Sequence, residues 1–371
     1  MALKSPQLVA SVLKKILLTV LLLFANPAFS LSVSGIYNAQ VVVEDQSARQ
    51  VLKAKKLGLS QVLVKVTGQT QSLNSALIRK ALNDVESYVR QFSFTTQLNA
   101  GQAKAAIELA FDPLKVNQLV SDAGLPIWGT ERAAVLVWLV EDVQGGRQII
   151  NSDSHPVAAQ IMSQANERGI PMLWPLLDIE DQLAIDAGAL WGLFKETIKE
   201  ASKRYQADGV LVGRIFQDTQ GLWQAQWDFW LDDIEQQWSS QSADLAALTA
   251  PLQDRLASSL VAKFALATSV KNLDEAQLKS VILRVDQVIN FEDYVELKKI
   301  LQALSGIQQV QLYSANGATL EFKLFAQSSL AKIKSIVDLK QRLKLVDNSE
   351  QEQFLAQPGS SNDLIWHYQW R

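Results

Sequence analysis

Ala133-Ala134-Val135-Leu136-Val137-Trp138-Leu139-Val140 is an unbroken apolar run near the middle of the chain. Strands that are covered on both faces have such runs, whereas half-exposed strands alternate apolar and polar residues. The run therefore predicts a buried central strand. Further along the chain, residues 170–174 and 210–216 predict two more strands, and each follows a helix that ends at a glycine.

The next segment, residues 222–231, alternates instead of running apolar throughout. This pattern predicts a half-buried antiparallel strand with Trp223 and Trp227 in the core. Trp230 falls on the other face, among polar residues. A helix over about residues 243–266 completes a mixed α/β unit.

Two further units flank this one. Residues 33–123 have strand and helix patterns that predict a first α/β domain. After Asn272, the predicted order is strand-helix-strand-strand-helix-strand, with a hairpin turn at Asn316-Gly317. This order is ferredoxin-like (βαββαβ). The predicted fold class is α/β and α+β, with three small mixed α/β domains over residues 31–126, 127–272 and 273–371.

The N-terminus has the pattern of a secretory signal peptide. Lysines precede the aliphatic run of residues 16–24, Asn26-Pro27 breaks it, and Ala28-Phe29-Ser30 provides a small-x-small cleavage site. A retained membrane anchor is the alternative, but the run is about half of the roughly 20 residues that span a bilayer. We expect residues 1–30 to be cleaved, which leaves a periplasmic protein with no integral membrane segment.

Composition excludes several classes of function. The chain of 371 residues has no cysteine, two histidines and a formal net charge of −3. It therefore cannot form disulfides or thiolate metal sites, and it lacks the positive charge that holds nucleic acid. None of the common catalytic, phosphate-binding or metal-binding motifs is present, so we predict no catalytic residue, no metal and no cofactor.

Short motifs along the mature chain carry a family resemblance. They are Gly35-Ile36-Tyr37-Asn38-Ala39-Gln40-Val41-Val42-Val43, Asp45-Gln46-Ser47-Ala48-Arg49, Gln61-Val62-Leu63-Val64-Lys65-Val66-Thr67-Gly68, residues 134–140, Asp208-Gly209-Val210-Leu211-Val212-Gly213-Arg214 and Trp223-Gln224-Ala225-Gln226-Trp227. With these motifs the chain resembles an exported proteobacterial family, domain of unknown function two-thousand-sixty-six. The resemblance implies export and an α/β fold, and it brings no catalytic residues.

Four short motifs each fit either a functional site or a structural role. His155 is a ligand or base, or a residue at a helix entry. The carboxylates of Asp178-Ile179-Glu180-Asp181 hold a cation, or they favour a helix N-terminus. Gly145-Gly146 and Asp232-Asp233 fit turns. The structural role is the stronger reading of each.

Tryptophan, with ten residues, is the unusual feature of the composition. Trp230 on a polar face would bind a partner protein or a sugar, or it lies under a neighbouring helix. Trp366, Tyr368 and Trp370 alternate on the terminal strand and are predicted to dock it. The leading hypothesis is a non-enzymatic binding or adaptor module whose partner is an envelope protein. The alternative is a carboxylate-dependent hydrolase or transferase that acts on an envelope polymer.

Overall fold

The described residues form three sheets in the computed structural model, which covers residues 35–99, 102–143, 146–152, 155–265, 279–326, 329–346 and 364–371. Ser32–Arg371 forms one compact unit. Each sheet is packed with helices, which confirms the predicted mixed α/β fold class. The predicted signal peptide, residues 1–30, lies outside the described residues, and the domain boundaries near residues 126 and 272 stay predictions.

The N-terminal part of the described chain builds the first sheet and its helices. In chain order these are β1 (Asn38–Val42), α1 (Ala48–Thr67), α2 (Ala76–Asn83), β2 (Val89–Asn99), β3 (Gln102–Phe111) and α3 (Pro113–Asp122). The strands are antiparallel in the order β1-β3-β2. Helix α1 begins where the Ser47 hydroxyl accepts the N–H of Gln50, and it ends at Gly68 with φ 69°. Both ends are thus satisfied by local caps.

The central part builds the second sheet. Its elements are β4 (Val135–Val143), β5 (Gly146–Ile149), α4 (Pro156–Arg168), β6 (Met172–Leu173), α5 (Ile179–Ala184), α6 (Ala187–Trp191), α7 (Lys195–Ser202), β7 (Gly209–Gln217), β8 (Trp223–Leu231), β9 (Ile234–Ser242) and α8 (Leu245–Phe264). The strand order is β5-β4-β7-β8-β9, with β6 paired to β4. β4 is parallel to β6 and β7, whereas β7, β8 and β9 are antiparallel.

Helices cover both faces of this second sheet. Side chains of α4 and α8 pack in the core on one face, and side chains of α6 and α7 pack in the core on the other. Successive residues of β4 point alternately into these two cores. Every residue from Val135 to Val140 is therefore 0% exposed, which confirms the predicted buried strand.

The C-terminal part builds the third sheet. Its elements are β10 (Lys279–Asp286), α9 (Phe291–Gln302), β11 (Ile307–Asn316), β12 (Thr319–Ala326), α10 (Leu330–Asp338), β13 (Leu343–Leu345) and β14 (Ile365–Trp370). The strand order is β11-β12-β10-β14-β13. The predicted βαββαβ order is confirmed, and the terminal strand β14 is inserted between β10 and β13, parallel to β10.

Aromatic residues of β14 explain why this strand lies inside the sheet. Trp366, Tyr368 and Trp370 are at most 6% exposed and belong to the core of the third sheet. Burying three such side chains removes several hundred Å² of apolar surface from water. The alternation of aromatic residues thus docks the strand.

Candidate functional site

Trp230 lies beneath helix α7 on the second face of the central sheet. It is 8% exposed, and the ammonium of Lys195 lies 5.6 Å from its ring centroid. On the same face of β8, Gln226 is exposed but Asp228 is 1% exposed. The face of β8 that the alternation predicts to be polar is thus exposed to solvent at Gln226 but buried at Asp228 and Trp230.

A cavity of about 400 Å³ lies beside Trp230, and we call it the Trp230 cavity. Helix α7, the start of β7 and the turn between β8 and β9 supply its walls. Its charged lining includes Lys199, Asp208, Asp232 and Glu235. Its size is within the range of small-molecule sites.

Asp208 is the titratable group of the Trp230 cavity with the most altered acidity. Its carboxylate accepts the backbone N–H of Ala134 at 2.7 Å. Desolvation, and then the nearby charge of Asp232, raise the pKa of Asp208 to about 6. A carboxyl group with such a pKa can hold or release a proton near neutrality. The sequence marks Asp208 only as the first residue of the motif Asp208-Gly209-Val210-Leu211-Val212-Gly213-Arg214.

The predicted acidic cluster binds an arginine. The guanidinium of Arg204 lies 2.7 Å from Asp178 and 3.0 Å from Asp181, and it is 3.3 Å from Glu180. Asp178 also caps α5, because its side chain accepts the N–H of Asp181 at 3.1 Å. The hydrogen bond from Arg204 and the cap lower the pKa of Asp178 to about 2. Among the described residues, no group of three or more His, Cys, Asp or Glu side chains is placed to hold a metal ion.

Helix α5 has its polar and apolar sides inverted. Its buried residue is Asp181, 1% exposed, which accepts the N–H of Leu177 at 2.8 Å and the hydroxyl of Tyr205. Its aliphatic residues point outward instead: Ile179 is 76% exposed and Leu183 is 84% exposed. Leu176, just before the helix, is 68% exposed. We call Leu176, Ile179 and Leu183 the α5 stripe.

Spacing in the sequence contains a signal for the α5 stripe. Ile179 and Leu183 are four positions apart, which places them on one helical face, and Leu176 precedes the helix. Such a face normally turns inward. The sequence cannot show that the acid between them is the buried residue, because Arg204 and Tyr205 are more than 20 positions away.

His155 has a structural role at the start of helix α4. Its Nδ1 accepts the N–H of Val157 at 3.3 Å at the start of α4, and its Nε2 lies 3.3 Å from a carboxylate oxygen of Glu141. Both ring nitrogens are thus engaged. Asp232 and Asp233 form the turn between β8 and β9, where both bind Lys263.

The remaining predicted features are structural too. Trp227 is 0% exposed in the core, and the half-buried Trp223 packs against the same core. Gly146, with φ 133°, begins β5 and pairs with Val143 of β4, whereas Gly145 lies outside the described residues. No described helix is long and apolar enough to cross a bilayer.

Comparison with solved structures gives only distant similarities. Lipoprotein GNA1162 from Neisseria meningitidis is 16% identical over 34% of this chain and 99% of its own, with a TM-score of 0.24. A formyltetrahydrofolate deformylase from Pseudomonas putida KT2440 is 10% identical over 53% of this chain and 91% of its own, with a TM-score of 0.18. Neither similarity bears on the function at these scores.

Comparison with protein families corrects the resemblance drawn from short motifs. No curated protein matches the chain. A family model described as Domain of unknown function (DUF8605) matches residues 31–129, which contain the first sheet and its helices. The resemblance to domain of unknown function two-thousand-sixty-six is therefore wrong, because the matching model describes a different domain. Strand and cap motifs such as Asp45-Gln46-Ser47 reflect local structure that unrelated families share.

Proposed function

We propose that the protein is a non-enzymatic binding or adaptor module of the cell envelope. The observation that supports this proposal is the inverted helix α5, which buries Asp181 and exposes Ile179 and Leu183. Single exposed aliphatic residues are common on protein surfaces, but a contiguous apolar patch marks an interaction site. The α5 stripe is the proposed contact.

The α5 stripe is large enough to anchor a partner. Complete burial of a Leu or Ile side chain contributes about 1.5–3 kcal/mol relative to full exposure. The three residues are 68–84% exposed, so covering them would contribute about 4–6 kcal/mol. Hot spots of protein interfaces are anchors of this size.

Charge narrows the chemistry of the partner. Asp178 and Glu180 flank the α5 stripe, with side chains 43% and 69% exposed, and Arg204 is the cation bound to them. The surroundings of the stripe thus have an excess of negative charge. We propose an envelope protein with an apolar groove and a basic rim, because such a rim complements the acids.

Crosslinking in cells tests the proposed contact. Tagged full-length chain is compared with an Ile179→Ser/Leu183→Ser double variant and with Leu114→Ser, a control whose side chain is 81% exposed on α3. We expect one discrete partner, lost in the double variant and kept in the control. Binding of the purified partner should weaken with salt. A partner captured equally by all three chains would contradict the α5 stripe as the contact.

Periplasmic localisation is part of the same proposal. It rests on the sequence of residues 1–30, with its basic region, apolar run and small-x-small site. Fractionation and N-terminal sequencing test it, and we expect the mature chain to begin at Leu31. A chain that starts at Met1 in the membrane fraction would support a retained anchor instead.

The Trp230 cavity favours a second candidate function, a carboxylate-dependent hydrolase or transferase of an envelope polymer. The supporting observation is Asp208, with a pKa of about 6, beside Asp232. A carboxyl group with a pKa near neutrality can act as a general acid or base. Incubation with isolated envelope polymer tests it. Release of fragments by the parent and not by Asp208→Asn would favour this enzyme, and release by neither would favour the adaptor.

A further inference from the structure

Strand β2 forms an edge of the first sheet and is open on both faces. Residues 90–94 are all exposed, although they alternate between the two faces of the strand. Within the part of the chain that the structure describes, the pairing order β1-β3-β2 leaves one side of the β2 backbone without a neighbouring strand. Such an edge offers unpaired N–H and C=O groups to another strand.

The stretch of β2 from Gln91 to Gln97 lacks the residues that usually protect an edge strand. Gln91-Phe92-Ser93-Phe94-Thr95-Thr96-Gln97 has no charge, no proline and no glycine. In natural proteins, lysine, proline or β-bulges protect edge strands from pairing with other chains. Segments with the composition of residues 91–97 pair readily with identical segments. A register shift in the pairing with β3 lies just before this stretch, between Val89 and Gln91.

An aromatic pair marks the middle of this edge. Phe92 and Phe94 are each 42% exposed, and their rings meet edge to face with centroids 6.1 Å apart. They are paired with Leu109 and Ile107 of β3, so they lie on the same face of the sheet as α1 without being buried beneath it. The ammonium of Lys55 on α1 lies 4.4 Å above Phe92. The rings are thus held in place and half open to a partner.

We infer that β2 pairs antiparallel with β2 of a second copy of this chain. A two-fold axis at Ser93 would place Phe92 opposite Phe94 of the second copy, and Gln91 opposite Thr95 of the second copy. Cross-strand aromatic pairs stabilise antiparallel sheets. The three-stranded first sheet of each copy would then become half of one continuous six-stranded sheet across the interface.

Charge and area favour a second copy as the occupant. Arg90 is the nearest charge on β2, and in this register it lies opposite the uncharged Thr96 of the second copy. Each ring would bury roughly 60–100 Å², since an aromatic side chain offers about 150–250 Å². Four rings and one strand ladder make an interface at the small end of the specific range, below about 1,200 Å². The dimer is therefore reversible and depends on concentration.

The opposite edge of the sheet differs in ways that make it a control. Strand β1 has five residues, and the carbonyl of Asn38 at its start accepts the ammonium of Lys65 at 3.0 Å. Val42, at its other end, is 41% exposed, close to the exposure of Phe94. A lysine at position 42 thus adds the same charge at a similar exposure.

Sedimentation or light scattering of the purified full chain over a range of concentrations tests the pairing. We expect a monomer that becomes a dimer, with a dissociation constant raised at least about tenfold in Phe94→Lys and unchanged in Val42→Lys. A chain that stays monomeric at every concentration would overturn the inference. This result would leave the α5 stripe untouched, because that surface is tested by its own variants.

Disulfide trapping tests the register independently of mass. The chain has no cysteine, so single cysteines report without background. Ser93→Cys should crosslink to itself, and Gln91→Cys and Thr95→Cys should crosslink when mixed but not alone. Directly opposed residues have Cβ atoms about 4.5–5.5 Å apart, whereas these positions lie about 14 Å from their own copies. Failure of both crosslinks, with a monomeric mass, would refute a β2 interface.

Discussion

Replacement of Arg132 by methionine should strongly destabilise the fold. Arg132 is 3% exposed, and all five of its N–H donors bind backbone carbonyls at 2.6–3.0 Å. Burial lowers its pKa to about 9, so the guanidinium is still protonated at neutral pH. The five accepting carbonyls are those of Lys65, Trp128, Gly129, Arg168 and Gly169.

Through these carbonyls, Arg132 links α1, which packs on the first sheet, to α4, which packs on the central sheet. Lys65 lies in the last turn of α1, whereas Arg168 and Gly169 end α4. Carbonyls at helix C-termini have no partner inside the helix and attract positive charge. Arg132 satisfies both helix ends at once, and its guanidinium also stacks 4.0 Å from the ring of Trp128.

The magnitude follows from the groups that would be left unpaired. A buried acceptor without its donor costs about 1–3 kcal/mol. Five such acceptors at the lower limit cost about 5 kcal/mol, and the lost stacking adds about 1 kcal/mol. Apolar contacts of the methionine offset part of this cost, so we expect a net loss of about 4 kcal/mol. Such a loss is a large fraction of the stability of a typical domain.

Urea unfolding followed by tryptophan fluorescence measures this loss. Arg79→Met, at an exposed position of α2, is the matched control and should change the free energy of unfolding by less than about 0.5 kcal/mol. Arg132→Lys keeps the charge but has three donors, so its loss should be intermediate. A free energy of unfolding of Arg132→Met within about 1 kcal/mol of the parent would refute the reasoning.

Three other predictions concern packing and acidity. Gly213→Ala would press a new methyl group against Leu139 and Trp227, both 0% exposed, and should cost about 1–3 kcal/mol in chemical denaturation; a neutral result would show that this core can relax. NMR titration of the Asp178 carboxyl group should give a midpoint near 2, because Arg204 stabilises its charged form; a parent midpoint near 4 would contradict the ion pair. The pKa of Asp208 is raised in the folded state, so the folded protein binds more protons than the unfolded chain between about pH 4 and 6, and stability falls as pH rises through this window. Asp208→Asn should lack this step, and equal pH dependence of the free energy of unfolding in parent and variant would count against the raised pKa.

Local features of the fold were predictable from the sequence. The turn at Asn316-Gly317 is present, with Gly317 at φ 59° and Asn316 paired with Thr319. A glycine inside a helix indicates close packing, and at Gly58 of α1 a Cβ would lie 2.5 Å from the side chain of Leu109. These features depend on backbone conformations that few residues adopt, or on small residues at close contacts.

The candidate site was less predictable. The sequence singled out Trp230 and the acids of residues 178–181, and both lie in the layer over the second face of the central sheet. It did not show that α7 covers Trp230, or that Arg204 binds the acids. Both facts depend on contacts between residues that are far apart in the chain.

The sequence by itself determined the fold class, the hairpin turn and the buried strand β4, because these follow from residue patterns within one element. The helix before residues 210–216 ends at Ser202, and the glycine predicted to end it, Gly209, begins β7 instead. The tertiary structure decided the insertion of β14 beside β10, the union of two helix ends by Arg132, and the outward direction of the α5 stripe. The physical reason is that burial is a property of the assembled chain. Asp181 turns inward because Tyr205 and Arg204 meet it there, and the aliphatic side of the same helix then has no core to enter.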